Sequence, residues 1–352
     1  MKFKCITSHT SEVDVHSLLD QGLPLFVSTS DINVLEEILS RTSSFSTSVG
    51  PPGFEDVIEG LEIAQRARSS DDLRKVYLFE NDSERFKKHI EDSLGNEHYD
   101  IIQVICDRIC TQRKISEDKV RIISEKFTGM AVIYPSQRTS GDFSPFKQFC
   151  EDINASPSQK RNSIPSLILT RTNEEAQFYY QRKLSLLNGI HFTMAVLAYH
   201  SLMNNGYARD QWASKQLSTW RSDEVNHHSL RITTQGRVLR LLYDTPTKLL
   251  ETVYGTNNIA EIYLMTMEYV KTTIRRIESI PDTLGRILHL PDEKNIRVKL
   301  LRYVSDVQSW LKQNDKAKSE CMRVTGIKFE DIYATFDTLA LKFESICAPQ
   351  ED

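Results

Sequence analysis

From residue 24 to residue 105 the chain alternates between a strand period and a helix period, and from Thr172 onward the period of two does not return. PLFVSTS (24–30) reads as a strand, and DINVLEEILSR follows as a helix with Asp31 as its N-cap. SSFSTSV (43–49) reads as a second strand ending in GPPG, with FEDVIEGLEIAQRARS helical after it. KVYLF (75–79), the helix SERFKKHIEDSL and YDIIQVI (99–105) continue the pattern. KVRIISEKF and GMAVIYP read as two further strands able to form a hairpin. Strands alternating with helices imply a mainly parallel sheet covered on both faces.

Past residue 136 the periodicity weakens amid Ser, Pro, Asn and Gly, so residues 151–171 are assigned to a surface linker. Thr172 and Glu175 form a capping-box signature, and amphipathic segments follow near 208–220, 226–244, 258–279, 292–314 and 328–346. The expected class is therefore α/β followed by all-α: an α/β domain over 1–150, the linker, and a helical domain over 172–352.

Composition narrows the partners. The formal net charge is −4 with both signs mixed along the chain, which argues against nucleic acid or an anionic membrane surface as the main partner. No apolar run is long enough to span a bilayer, and MKFKCITSHTSEVD lacks a signal-peptide core, so the expected compartment is the cytoplasm. The 6 cysteines are scattered; CDRIC has no matching second pair, so they read as reduced thiols rather than a zinc site. Trp212 and Trp220 read as core, and the adjacent His227 and His228 point about 100° apart on a helix, which makes them poor co-ligands.

KLSLLNGIHF (183–192) places Lys183, Asn188 and His191 in an otherwise apolar stretch. At about 100° per residue, Asn188 lies near 140° and His191 near 80° from Lys183, within one broad sector. A lysine whose pKa is lowered by burial can take the proton of an alcohol, an amide can hold the developing alkoxide, and an imidazole can orient the oxygen. Spacing alone favours a snorkelling lysine, a turn asparagine and a satisfied core histidine over a joint site. Gly189 permits a close approach by another backbone or a ligand.

RKLSLLNGIHF, with the K-x4-N-x2-H spacing, resembles the catalytic helix of the polyol-specific long-chain dehydrogenases, the mannitol dehydrogenase and mannitol-1-phosphate 5-dehydrogenase family. STSVGPPGFEDVIEGLEIA, LFEND (78–82), ICDRIC (105–110) and VRIISEKFTGMAVIY resemble further segments of that family in the same order, over roughly residues 43–200. The Glu-Asn of LFEND is similar to the sugar-phosphate branch. The resemblance implies a truncated Rossmann-like domain with a helical domain of the mannitol dehydrogenase type. It implies a cytoplasmic oxidoreductase moving hydride between NAD or NADP and a sugar alcohol or its phosphate, without zinc. In that scheme Lys183 is the general base, Asn81 and Asn188 hold the reacting oxygen, and His191 contacts the substrate. Asp107 and Arg108 shape the substrate site, while Gly50 and Asn81 face the cofactor.

The family opens with a strand, a G-x-G-x-x-G turn and a helix, which carry the pyrophosphate. No such motif occurs in this chain, and Gly22 is the only glycine before Gly50. About 45 residues of the family pattern, one strand–turn–helix unit, are expected to be missing. Three readings follow: an active oxidoreductase, a catalytically inactive relative serving as a binding or scaffold protein, and an incomplete gene model. A β-hydroxyacid dehydrogenase relation ranks lower, because its spacing is K-x3-N. TTIRRIESIPDTLGRI, the basic stretch past residue 250, reads first as a solvated helix face and second as a substitute for the family's Arg- and Pro-containing segment that completes the substrate pocket.

Overall fold

The computed structural model describes residues 4–5, 13–14, 32–67, 73–107, 109–115, 120–124, 130–136, 166–207, 209–222, 224–288 and 293–347. The chain forms two compact units, Met1–Tyr179 and Tyr180–Asp352. The strand expected at 24–30, and Asp31, lie outside the described residues.

In the first unit the short strands β1 (Lys4–Cys5) and β2 (Val13–Asp14) pair antiparallel. Helix α1 (Ile32–Arg41) leads to β3 (Ser44–Thr47), a 3-10 turn at Pro51–Gly53 and α2 (Phe54–Ala67). Then come β4 (Arg74–Leu78), α3 (Ser83–Leu94) and β5 (Tyr99–Asp107). Next are β6 (Cys110–Ile115), β7 (Val120–Ser124), β8 (Met130–Ile133) and β9 (Ser166–Leu169). The main sheet has the order β3-β4-β5-β8-β9. β3, β4 and β5 are parallel, with Ser44 opposite Lys75 and Arg74 opposite Tyr99. β8 runs antiparallel to β5, and β9 parallel to β8.

β4 is buried at every position, as a parallel strand covered on both faces requires. On one face Phe54, Ile58 and Leu61 of α2 and Phe86 and Ile90 of α3 pack over Val76, Leu78, Tyr99 and Ile101. The rings of Phe54 and Phe86 stack at 3.8 Å. On the other face Tyr77, Ile102, Val104 and Ile133 form a second cluster.

Two sequence expectations change. Among the described residues, β7 and β8, the strands expected to form a hairpin, do not pair: β7 forms its hairpin with β6, and β8 joins the main sheet. Residues 166–169, assigned above to the linker, return as β9 and pair with β8. SLIL is a short apolar run that a period-based reading cannot separate from a loop when Ser, Asn and Pro surround it.

The second unit is helical. Helix α4 (Asn173–Arg182) runs into a π-helical stretch, Lys183–Asn188, and then α5 (Gly189–Asn204). Two 3-10 turns, Arg209–Ser214 and Leu217–Ser222, occupy the segment expected as one helix near 208–220. Trp212 and Trp220 are core, as expected; the Trp212 indole donates to the Tyr207 carbonyl at 2.9 Å. Helices α6 (Glu224–Asp244), α7 (Thr247–Tyr254), α8 (Ile259–Glu278), α9 (Leu284–Leu288) and α10 (Glu293–Leu300) follow. A second π stretch, Leu301–Ser305, leads into α11 (Asp306–Gln313), α12 (Asp315–Thr325) and α13 (Phe329–Cys347). α5 is buried nearly throughout, which marks it as the central helix of its unit. No helix among the described residues is long and apolar enough to cross a membrane.

Candidate active site

The helix entering the site starts as the sequence implies. Thr172 Oγ1 accepts from the Glu175 N–H at 3.2 Å, and the Glu175 carboxylate reaches back to the Arg171 N–H at 2.8 Å, one residue short of the usual partner. The α-helical period then breaks at Lys183 and resumes after Asn188, and the Gly189 N–H bonds to the Leu184 carbonyl five residues back. π-bulges of this kind collect at functional sites. A wider turn also rotates the side chains. Residues five apart come close to stacking, so Lys183 and Asn188 share a face more closely than the uniform 100° step suggests. Lys183 is buried, 9% exposed.

Gly189 has a specific reason to be glycine. A Cβ there would lie 2.8 Å from Nη1 and 3.0 Å from Cζ of Arg237, a fully buried residue of α6. The close approach inferred from sequence is thus made by a guanidinium. Arg237 Nη2 donates to Thr193 Oγ1 at 2.9 Å, and Thr193 in turn donates to the Gly189 carbonyl at 2.8 Å. The Arg237 cation also lies 5.5 Å from the centre of the Phe336 ring. Burial lowers the Arg237 pKa to about 9, partly opposed by nearby Tyr303.

Asn188 and His191, one turn apart, reach different members of a polar cluster supplied by the C-terminal helices. Asn188 lies close enough to the Tyr303 hydroxyl to favour its ionised form, but burial dominates and the Tyr303 pKa is raised. Tyr303 stands in the second π stretch, so this proximity brings the two π segments together. His191 Nε2 lies 3.2 Å from Asp282 Oδ2, a close polar contact that becomes an ion pair only when the ring is protonated. Burial lowers the His191 pKa; Asp282 opposes this, while Arg286 and Lys299 add to it.

Asp282 is fixed from several sides. Its Oδ1 accepts from the Thr283 N–H at 2.8 Å and Arg286 Nε at 2.6 Å, and its Oδ2 accepts from Arg286 Nη2. Its carbonyl accepts from the Leu217 N–H at 2.8 Å, beside the Gln216–Thr283 bridge. The Asp282 pKa is lowered; burial raises it, but the Arg286 and His191 contacts outweigh that effect. Lys299 donates to the Ile287 carbonyl, and its pKa falls to about 8 through burial first and the charge of Arg286 second.

The remaining expected site residues belong to the other compact unit. Asn81 occupies the exposed turn between β4 and α3, and Asp107 ends β5 with its side chain buried. Arg108 lies outside the described residues. Gly50 follows β3 with φ 73°. The N–H groups of Val49 and Gly50 both donate to the Glu80 carboxylate, at 2.7 and 3.0 Å. That turn does not fit a dinucleotide phosphate as it stands: an internal carboxylate already holds both donors.

The stretch TTIRRIESIPDTLGRI is not a solvated face. Arg276 and Asp282 are buried, and Asp282 touches His191. Sequence reading missed Asp282, Arg286, Lys299, Tyr303 and Arg237. The Asp-x3-Arg spacing in PDTLGR, an i,i+4 pair, was the available signal for the first two. Among the described residues no group of three or more His, Cys, Asp or Glu is placed to hold a metal.

No family model matches the chain, and no curated protein matches it. Solved structures do align. One is 2-dehydropantoate 2-reductase from Geobacter metallireducens GS-15, at 10% identity and TM-score 0.45, covering 97% of this chain and 86% of that one. A PanE/ApbA family ketopantoate reductase from Ralstonia eutropha JMP134 aligns at 8% identity and TM-score 0.41, covering 99% and 86%. Octopine dehydrogenase in complex with NADH and agmatine aligns at 10% identity and TM-score 0.46, covering 98% and 78%.

Proposed function

We propose that the chain is an oxidoreductase that transfers hydride between a nicotinamide cofactor, NAD or NADP, and a small alcohol or carbonyl compound. The resemblance of RKLSLLNGIHF favours a polyol or polyol phosphate. The observation that supports the reading is the position of the three residues on and just after the first π segment. Lys183 opens it, Asn188 closes it on Tyr303, and His191 follows one turn later against Asp282.

In this reading Lys183 takes the hydroxyl proton and Asn188, steadied by Tyr303, donates to the substrate oxygen. His191, kept uncharged by burial, orients that oxygen while Asp282 fixes the ring. When bound, the nicotinamide supplies the hydride acceptor. Asn81, Asp107, Arg108 and Gly50 remain assigned to the same reaction by resemblance alone. The test is oxidation of NADH and NADPH with fructose and fructose 6-phosphate, using wild type and Lys183→Ala. Turnover in wild type and its loss in the variant, with cofactor binding little changed, is expected. Equal turnover in both removes Lys183 as base.

A second reading, an inactive relative acting as a binding protein, is favoured by Glu80, whose carboxylate holds the Val49 and Gly50 N–H groups. Saturable NADH binding to wild type would count against it.

A further inference from the structure

Among the described residues the charges around Asp282 do not balance. Its oxygens are filled by Arg286 Nε and Nη2, by the Thr283 N–H and by the His191 contact. A plain Asp–Arg bridge needs no lysine, yet Lys299 stands beside it. Its ammonium donates to a neutral carbonyl, that of Ile287, and among the described residues it makes no ion pair. The adjacent Arg286 charge helps to push its pKa down to about 8. Two cations therefore lie within electrostatic reach of each other and of one carboxylate, Arg286 bonded to Asp282 and Lys299 to the carbonyl of the residue next to Arg286. Their outer faces are open: the Arg286 side chain is 39% exposed, its Nη1 is not used by Asp282, and Lys299 is half-buried. His191 Nε2, a buried nitrogen without a hydrogen-bond partner among the described residues, borders the same cluster.

We propose that Lys299 and the outer edge of Arg286 form a binding site for an anionic group, a carboxylate or phosphate, on the substrate whose oxygen His191 contacts. The inference rests on the oxidoreductase reading for the word substrate, but the anion site is testable without it. An anion between the two cations restores the local balance, and Arg286, fixed at Asp282 through two other N–H groups, presents Nη1 in a set direction.

The experiment uses the full chain with labelled histidine, the His191 signal being assigned with His191→Gln. Inorganic phosphate, acetate and chloride are titrated separately at constant ionic strength. A saturable shift of the His191 resonance with phosphate or acetate is expected, at least tenfold weaker in Lys299→Gln and recovered in Lys299→Arg, with helical circular dichroism unchanged in both variants. Saturation by phosphate alone assigns a phosphoryl group, and by acetate alone a carboxylate. Either result supports the site. Equal shifts with chloride, no saturation with any anion, or wild-type affinity in Lys299→Gln overturns it. Anion binding that survives in a chain with no hydride transfer overturns the oxidoreductase reading and leaves the anion site standing.

Discussion

Replacing Gly189 with alanine should destabilise the helical unit, although alanine is the better helix former. The propensity gain is about 1 kcal/mol. Against it, the new Cβ would meet Arg237 Nη1 at 2.8 Å and Cζ at 3.0 Å. A flexible side-chain end would normally move aside, but Arg237 is 1% exposed and lies against Phe336. Movement breaks its bond to Thr193, a charged hydrogen bond of about 1.5–3 kcal/mol. Overpacking adds roughly 1–3 kcal/mol. The net loss is about 1.5–5 kcal/mol. Tryptophan fluorescence during urea unfolding isolates the relevant unit, because Trp212, Trp220 and Trp310 all fall within Tyr180–Asp352. The companion substitution is Gly60→Ala in α2, where a Cβ meets nothing within 4 Å; it should stabilise the α/β unit by about 0.5–1 kcal/mol, read by circular dichroism. A Gly189→Ala protein as stable as wild type would show that the guanidinium is not seated against α5.

Other consequences follow from the same contacts. Tyr303→Phe keeps the ring against Phe192 but removes the hydroxyl near Asn188, so a cycle with Asn188→Ala should give a coupling of about 0.5–1.5 kcal/mol in urea unfolding. No coupling would mean that the two π segments are not joined there. Glu80→Ala frees the Val49 and Gly50 N–H groups, and hydrogen exchange should accelerate at those two amides while Val76 stays protected; unchanged exchange would refute the contact.

How much of this was legible in the sequence depends on how local each signal is. The parallel strands β3, β4 and β5 each occupy one apolar run between helices, so their existence and order could be read directly. The pairing of β6 with β7 could not, since period two names strands but not partners. Lys183, Asn188 and His191 were visible through their spacing, whereas the π turn that regroups them was not. No residue type announces it; it accompanies a guanidinium, on a helix some fifty residues later, that needs the space beside Gly189. Asp282 and Lys299 were hidden for a related reason. Both sit among charges that, read along the chain, look like a solvated surface; only the contact with His191 of α5 reveals Asp282 as buried, and only the bond to the Ile287 carbonyl shows Lys299 as half-buried beside it.

Lys299 also makes a prediction in which the direction of the pH effect is decisive. Its folded-state pKa, about 8, lies below the ordinary 10.5, so between these values the unfolded chain binds more protons at this position than the folded chain. Stability from this group must therefore rise as pH increases from about 8 towards 10.5, and the penalty for a charged, crowded ammonium is fully present below pH 8. Lys299→Met removes the group from the balance. The difference in unfolding free energy between wild type and variant should shift in favour of wild type across that interval, while other titrating groups cancel. A pH-independent difference would show that Lys299 is solvated as an ordinary surface lysine. The cluster would then be a simple Asp282–Arg286 bridge touching His191, and Lys299 would stand apart from it as a solvated charge, outside the proposed anion site.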